Sequence, residues 1–155
     1  MKAAKVGNKT SDIEKASEEV VKSELLKLGL ITDVKGEQFR TWYTHGICHW
    51  IGMDVHDVGD YQKPLAAGMT FVVEPGIYVR PQALDNLDDT PENRAFKDKV
   101  AGAVEKYKGM GVRVEDSFLL TPTGLKRLSA TTPRTIEEIE RHLKATRGTA
   151  PTAPQ

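Results

Sequence analysis

Apolar side chains recur every three to four positions in the first 30 residues of the chain, the spacing of an amphipathic helix. The recurring positions are Ile13, Ala16, Val20, Leu25 and Leu28. Ser11 and Glu14, at the start of this stretch, have the spacing of a capping box, and Gly29 follows its last position. The pattern therefore predicts a helix from about residue 11 to about residue 28.

Short apolar runs later in the chain predict β-strands. Residues 70–73 form a compact β-rich run, which Glu74, Pro75 and Gly76 interrupt before residues 77–79 resume it. We also expect a strand over residues 112–120, and the alternation at residues 54–58 suggests a short one. A turn over residues 121–124 follows the longest of these runs.

Two further helices are predicted from their start signals. Thr90 followed by Pro91 is typical of an N-cap with proline at the first helical position, and this helix would run to about Tyr107. Thr135 and Glu138 form a second capping box, which opens a helix to about Ala145. Because helices and strands do not alternate regularly, we expect an α+β fold.

Composition and charge exclude several classes of protein. Lysine plus arginine and aspartate plus glutamate each number 22, so the formal net charge is zero and there is no electrostatic case for a nucleic-acid or anionic-membrane partner. No apolar run approaches the roughly 18 residues of a transmembrane helix. The single cysteine, Cys48, excludes an internal disulfide framework and favours the cytoplasm.

The chain of 155 residues suits one domain. We expect this domain to occupy residues 11–146. Residues 1–10 are basic without a following apolar segment, which predicts a flexible tail and not a secretory signal. Residues 147–155 are small, polar and proline-containing, which predicts a disordered tail.

A cluster of histidines is the first candidate for chemistry. His45, His49 and His56 fall within twelve residues of one another, whereas His142 lies on the charged C-terminal helix and is interpreted as a surface residue. Histidine is the commonest metal ligand and carries protons near neutral pH. Hydrogen-bonded structural histidines would explain the cluster about equally well, so both interpretations stay open.

Two glutamates strengthen the case for a functional site. Glu74 ends an apolar run, and Glu115 lies within a predicted strand. A carboxylate in a core-like position requires a cation, an arginine or a proton. Arg113 shares a strand face with Glu115, so an ion pair on a solvated face is an alternative for that glutamate.

Three segments together resemble a known peptidase family. The run H-G-I-C-H-W-I-G-M-D-V-H-D at residues 45–57 resembles the H-G-x-x-H-x-x-G-x-D-V-H-D signature of aminopeptidase P and prolidase. Residues 73–78 resemble the family's V-E-P-G-x-Y segment, and residues 111–116 its G-x-R-x-E-D strand. The resemblance extends over roughly residues 11–145, with the motifs in family order. Trp50 favours aminopeptidase P, since prolidases more often carry phenylalanine there.

The resemblance implies a fold and a metal site. The family has the pita-bread fold, an α+β fold in which two similar halves, built of antiparallel curved sheet with covering helices, enclose two divalent ions, commonly manganese. Two aspartates, one histidine and two glutamates hold these ions. By correspondence, His49, Glu74 and Glu115 would be metal ligands in this chain, and oxygen donors with one imidazole suit Mn²⁺.

The resemblance also implies a reaction. Paired divalent ions activate a water for attack on the peptide bond before proline, so the substrate would be a proline-containing peptide. Glu74 would handle a proton in addition to binding metal, and His45 and His56 would contact the substrate and stabilise the tetrahedral intermediate. Arg113 would orient the metal-binding carboxylates. Cys48 would be a small buried filler.

The aspartate ligands that the resemblance requires are not evident. Asp12 and Asp33 are the aspartates that precede His45, and neither lies in a predicted strand. We therefore expect the chain to correspond to the C-terminal portion of a pita-bread domain and to be inactive, or nearly so, alone. Exposed sheet edge and apolar surface would then favour self-association or a complementary N-terminal half as partner.

Two alternative functions stay open. One is a prolidase, which acts only on dipeptides, and the other is a non-catalytic pita-bread module that binds peptides or proteins. Relatives of the second kind generally lose the metal residues, whereas the three expected in this portion are present here.

Overall fold

The computed structural model describes residues 2–146, and its helices and strands follow one another in an α+β order. The helices are α1 (Thr10–Lys27), α2 (Pro91–Tyr107) and α3 (Ile136–Thr146), with short 3-10 helices at Gln38–Thr41 and Pro81–Leu84. The strands are β1 (Cys48–Trp50), β2 (Thr70–Val73), β3 (Gly76–Tyr78), β4 (Gly111–Arg113), β5 (Asp116–Thr121) and β6 (Gly124–Arg127). The predicted tail at residues 147–155 lies outside the described residues.

All strand pairs in the described chain are antiparallel. One sheet has the order β1-β2-β5-β6, and β3 pairs with β4 in a second sheet. The chain passes from one sheet to the other twice, at residues 74–75 and at residues 114–115. These two crossings lie side by side, because Val73 pairs with Asp116 at one end of them and Gly76 pairs with Arg113 at the other end.

The helix α1 begins one residue earlier than predicted and has a different cap. Its first residue is Thr10, and the Asp12 carboxylate accepts a hydrogen bond from the Lys9 amide at 2.8 Å. The predicted capping box of Ser11 and Glu14 is therefore not the one that forms. Gly29 ends the helix as expected, at a positive φ of 74° that glycine adopts without strain.

The segment predicted as a flexible N-terminal tail makes specific contacts with the rest of the chain, although most of residues 2–9 are exposed. Ala4 is buried, the Gly7 amide donates to the Leu65 carbonyl at 2.9 Å, and the Leu65 amide donates to the Asn8 carbonyl at 2.7 Å. These backbone hydrogen bonds link the segment to a residue far along the chain, which the local composition could not indicate.

The strand predictions are confirmed for residues 70–73 and, to within one residue, for residues 77–79, whereas the other two need correction. Residues 54–58 form no strand; Asp57 contributes only an isolated bridge to Trp50. The strand predicted over residues 112–120 is divided between β4 and β5, so Glu115 lies at a crossing between sheets and not inside a strand. The predicted turn near residues 121–124 is the hairpin that leads into β6.

The core is formed by side chains from the four-stranded sheet, from α1 and α2, and from the segment between α1 and β1. Fully buried side chains include Phe39, Trp42, Ile47, Phe71, Val100 and Leu120. The polar group of Trp42 also has a hydrogen-bond partner in the interior, since its indole N–H donates to the Leu30 carbonyl at 2.7 Å. This packing gives β1 and β2 a rigid base, and both carry residues of the candidate site.

The two later helices begin as predicted, but they differ in attachment. The Thr90 hydroxyl accepts from the Asn93 amide, and α2 buries Phe96, Val100 and Val104. Thr135 and Glu138 form the predicted capping box, yet α3 buries none of its residues. Over residues 2–146, no helix is long and apolar enough to cross a membrane.

Candidate metal centre

His49 is held rigidly in the middle of β1. It pairs in register with Val72 of β2, and only 8% of the residue is exposed. Its Nδ1 lies 3.0 Å from the Trp50 carbonyl oxygen. Because a carbonyl only accepts, Nδ1 must carry a proton, which leaves Nε2 as the ring nitrogen that can present a lone pair.

Glu74 lies directly after β2 and faces that lone pair. Its amide donates to the Ile47 carbonyl at 2.7 Å, and the residue is 9% exposed. Its Oε1 is 3.3 Å from Nε2 of His49. Two acceptors that face each other in a buried position require a proton or a cation between them.

His56 completes the group from a different element. It is exposed on the long loop after β1, and its ring centroid lies 4.3 Å from that of His49, edge to face. One ligand atom from each of His49, His56 and Glu74 lies within 4.8 Å of the others. Imidazole and carboxylate groups together bind divalent metal ions, so this donor set fits a divalent ion without selecting Mn²⁺. The structure thus places His56 among the possible ligands, where we expected only a substrate contact.

Glu115 is not part of this group of three. Its Oε2 lies 3.9 Å from Nη2 of Arg113, and its side chain is 39% exposed. The arginine–glutamate pair that the sequence left open as an alternative is therefore present. The crossing places Glu115 beside the group all the same, since Nε of Arg113 also lies 3.6 Å from Oε2 of Glu74. Arg113 thus bridges the two glutamates, which agrees with a role in orienting them.

His45 lies just outside the group and is oriented by Tyr78. Its Nδ1 is 2.7 Å from the Gly46 carbonyl, so its Nε2 accepts from the Tyr78 hydroxyl at 3.0 Å. A Cβ on Gly76 would lie 2.8 Å from that Nε2 and 2.6 Å from the hydroxyl oxygen. The glycine of the E-P-G segment therefore makes room for this hydrogen bond. His45 also lines an open cleft of about 470 Å³.

The aspartates ahead of His45 do not contribute ligands. The Asp12 carboxylate caps α1, and Asp33 accepts from the amides of Lys35 and Gly36 at 2.8 and 2.9 Å. These backbone hydrogen bonds lower the pKa of Asp33. Both carboxylates are used in local turns and caps, as their sequence context indicated.

Cys48 precedes His49 on β1 but has no nucleophilic character. Burial raises the pKa of its thiol to about 12, and the nearby carboxylates of Glu14 and Glu74 act in the same direction. The thiol therefore stays protonated at neutral pH, which agrees with its interpretation as a filler.

No role was predicted for Tyr78 or for the Asp57 carboxylate, although both lie inside the family motifs. Tyr78 orients His45, and Asp57 bonds to the loop that carries His56. Tyr78 was detectable as the last residue of V-E-P-G-x-Y, and Asp57 as the last residue of the histidine signature. Spacing alone does not show which partner either side chain meets.

The chain is similar to known metallopeptidases. Residues 1–122 match the model of metallopeptidase family M24. Over 142 residues the chain is 38% identical to the Xaa-Pro aminopeptidase of Haemophilus influenzae, covering 84% of this chain and 29% of that protein. It is 29% identical over 163 residues to the human Xaa-Pro dipeptidase, covering 90% of this chain and 32% of that protein.

A solved structure supports the fold. The aminopeptidase PepP of Pseudomonas aeruginosa superposes with a TM-score of 0.74 at 31% identity, covering 95% of this chain and 32% of that one. The prediction of an α+β, pita-bread fold is thereby confirmed. The chain spans about three-tenths of the length of each of these proteins.

Proposed function

Because the chain belongs to metallopeptidase family M24, we propose that it forms the C-terminal portion of an Xaa-Pro aminopeptidase catalytic domain. The observation that carries this proposal is the buried contact between Nε2 of His49 and Oε1 of Glu74, with His56 within reach. An imidazole nitrogen and a carboxylate oxygen that face each other in a buried position are suited to sharing a cation. The 38% identical relative supports an Xaa-Pro aminopeptidase as the parent activity.

In this proposal, His49, Glu74 and Glu115 are the metal ligands of this portion. Two divalent ions, Mn²⁺ by our preference, supply an activated water when bound. Glu115 reaches the site from the crossing beside Glu74, and Arg113 holds the two carboxylates in one orientation. The two remaining ligands are strand-borne aspartates outside this chain, so we expect the chain alone to be nearly inactive.

The residues around the ligands bind and orient the peptide. His45 is fixed by Tyr78, so its imidazole points in one direction without a substrate. His56 lies on the exposed side of His49, where a ring N–H donates to a peptide carbonyl. Glu74 lies closest to the imidazole pair and is the residue that moves a proton. Prearranged donors of this kind stabilise the negative charge that develops on the attacked carbonyl oxygen.

The proposal is tested by complementation. The purified chain is mixed with the upstream portion of a relative and MnCl₂, and release of the first residue from an Xaa-Pro-containing tripeptide is measured. Activity should require both portions, and His49→Ala should reduce it about a hundredfold because a metal ligand is lost. His142→Ala, on the exposed helix α3, is the matched control and should leave the activity unchanged. Equal activity in the His49→Ala mixture would refute the proposal.

An Xaa-Pro dipeptidase is the second candidate, because the human dipeptidase is also among the relatives. Trp50 favoured the aminopeptidase, but its ring lies against Tyr61 and Phe71. As the residue after His49 on β1, Trp50 also belongs to the opposite face of the strand. Comparing an Xaa-Pro dipeptide with a longer Xaa-Pro peptide in the same mixture separates the two activities. The cytoplasmic location inferred from cysteine content stays a prediction.

A further inference from the structure

The loop that follows β1 carries His56 but has little packing of its own. Residues 52–64 contain no helix or strand beyond an isolated bridge. Its apolar side chains point outward: Met53 is 100% exposed, Val55 73% and Val58 91%. Hydrophobic burial therefore does not fix the position of His56, and another interaction must do so.

Asp57 supplies that interaction through both its backbone and its carboxylate. Its amide donates to the Trp50 carbonyl at 3.0 Å, which ties the loop to the end of β1. Its Oδ2 accepts from the Met53 amide at 3.2 Å, and its Oδ1 from the Val58 amide at 3.0 Å. The carboxylate thus accepts hydrogen bonds from backbone amides on both sides of His56 and links residues 53 and 58 to each other.

Gly52 leaves the space that this carboxylate occupies. A Cβ at position 52 would lie 1.9 Å from Oδ2 of Asp57 and 3.0 Å from its Cγ. No side chain fits there while Asp57 stays in place. A Cβ at position 59 would likewise clash with β1, since it would lie 2.0 Å from Cδ1 of Trp50.

We propose that Asp57, seated in the space left by Gly52, is the positioning residue that holds His56 against His49. His49 is fixed by β1 and needs no such help, whereas His56 depends on the loop. Removing the carboxylate should therefore release His56 and leave the contact between His49 and Glu74 intact. This inference rests on the proposed function only in that it assigns the placement of a substrate-contacting histidine.

The placement is measured by NMR on the metal-free chain, so it needs no catalytic activity. Wild type should show a nuclear Overhauser effect between the rings of His49 and His56, whose centroids are 4.3 Å apart. Asp57→Ala should lose this effect and speed exchange of the Met53 and Val58 amide protons by about tenfold or more, as expected for loss of hydrogen bonds to a charged acceptor. Asp57→Asn retains one acceptor oxygen and should be intermediate.

Two further variants separate positioning from general damage. Asp54→Asn changes an exposed aspartate on the same loop and should behave as wild type. Gly52→Ala displaces the Asp57 carboxylate without removing it and should reproduce the Asp57→Ala loss. If both Asp57→Ala and Gly52→Ala unfold, the exchange rates of wild type decide: protected Met53 and Val58 amides support the inference, and random-coil rates overturn it.

Binding of MnCl₂, followed by titration calorimetry, distinguishes failure of this inference from failure of the proposed function. Suppose that wild type binds no Mn²⁺, even with the upstream portion of a relative, but shows the ring contact and loses it in Asp57→Ala. The metal site is then refuted, and the positioning role is retained. Asp57→Ala that keeps the ring contact and slow amide exchange overturns the positioning role, whatever the metal does.

Discussion

At the scale of single residues, the orientation of His49 is the feature from which the site is built. A hydrogen bond from its Nδ1 to the Trp50 carbonyl fixes the ring, so the opposite nitrogen must face Oε1 of Glu74 at 3.3 Å. Backbone carbonyls commonly fix metal-binding histidines in this way. His49 therefore has a backbone carbonyl on one ring nitrogen and a carboxylate facing the other, which is the environment expected of the proposed metal ligand.

Cys48 gives a prediction at the same scale. Burial raises its pKa to about 12 in the folded chain, against about 8.5 for a free thiol. At pH 8.5, alkylation by iodoacetamide should be about a thousandfold slower in the metal-free folded chain than in urea, because the thiolate is the reacting form. The rate of the folded chain should keep rising beyond pH 10. A native rate equal to that in urea would contradict the burial argument.

The same shift has a consequence for stability. Because the pKa of the Cys48 thiol is higher in the folded chain, the unfolded chain loses this proton at a lower pH. The contribution of Cys48 to the free energy of unfolding is therefore complete below about pH 8.5 and declines as the pH rises towards 12. Cys48→Ser cannot ionise in this range and serves as the control. Its unfolding midpoint in urea should depend less on pH above 8.5 than that of wild type.

At the scale of secondary-structure elements, α3 is held in place by ion pairs of the segment before it and not by buried side chains of its own. None of its residues is buried, whereas the segment before it is fixed by the buried carboxylate of Asp116. That carboxylate accepts from Ser129 at 2.6 Å, forms a short ion pair with Arg134 and lies 3.6 Å from Nη1 of Arg127. The helix should therefore be the least stable helix among residues 2–146.

This attachment predicts a local effect of one substitution. Arg134→Gln should speed exchange of the α3 amide protons by about fivefold, the ratio that corresponds to roughly 1 kcal/mol, and leave α2 unchanged. Added salt should reduce the difference between variant and wild type, because the pair is partly exposed. Arg141→Gln, which changes an exposed arginine on α3 itself, is the matched control. Equal exchange in wild type and Arg134→Gln would show that the ion pair does not hold the helix.

At the scale of the whole molecule, an apolar groove remains exposed between α1 and the β3–β4 pair. It has a volume of about 310 Å³ and is lined by Val20, Leu28, Ile77, Met110, Val112 and neighbouring side chains. Val20 and Val112 are each more than 60% exposed, and β3 and β4 have no further strand beside them among the described residues. Exposed apolar surface next to open sheet edges favours association between copies.

We therefore predict that the chain alone self-associates through this groove. Sedimentation velocity should show species larger than the monomer at micromolar concentration, and Val20→Lys with Val112→Lys should shift the distribution to monomer. Val6→Lys places the same charge on an exposed apolar residue outside the groove and should have no effect. A monomeric wild-type chain at all concentrations would contradict the prediction.

The sequence by itself determined most of the local structure, and it also predicted the site residues. Capping residues fixed the starts of α2 and α3, and β-rich runs located β2 and β5, because these signals act over a few neighbouring positions. The three motifs also identified His49, Glu74 and Arg113 before any contact was known. Local signals failed where distant residues decide, as in the N-terminal segment that pairs with Leu65.

Only the tertiary structure decided which of these residues meet. Glu74 and Glu115 are 41 positions apart, yet the paired crossings between sheets bring both within reach of Arg113. His56 meets His49 because the Asp57 carboxylate closes the loop, and no periodicity encodes a hydrogen bond to a backbone amide. The physical reason is general: residue type sets the chemistry that a side chain can perform, but strand register and loop closure set its distance from every partner.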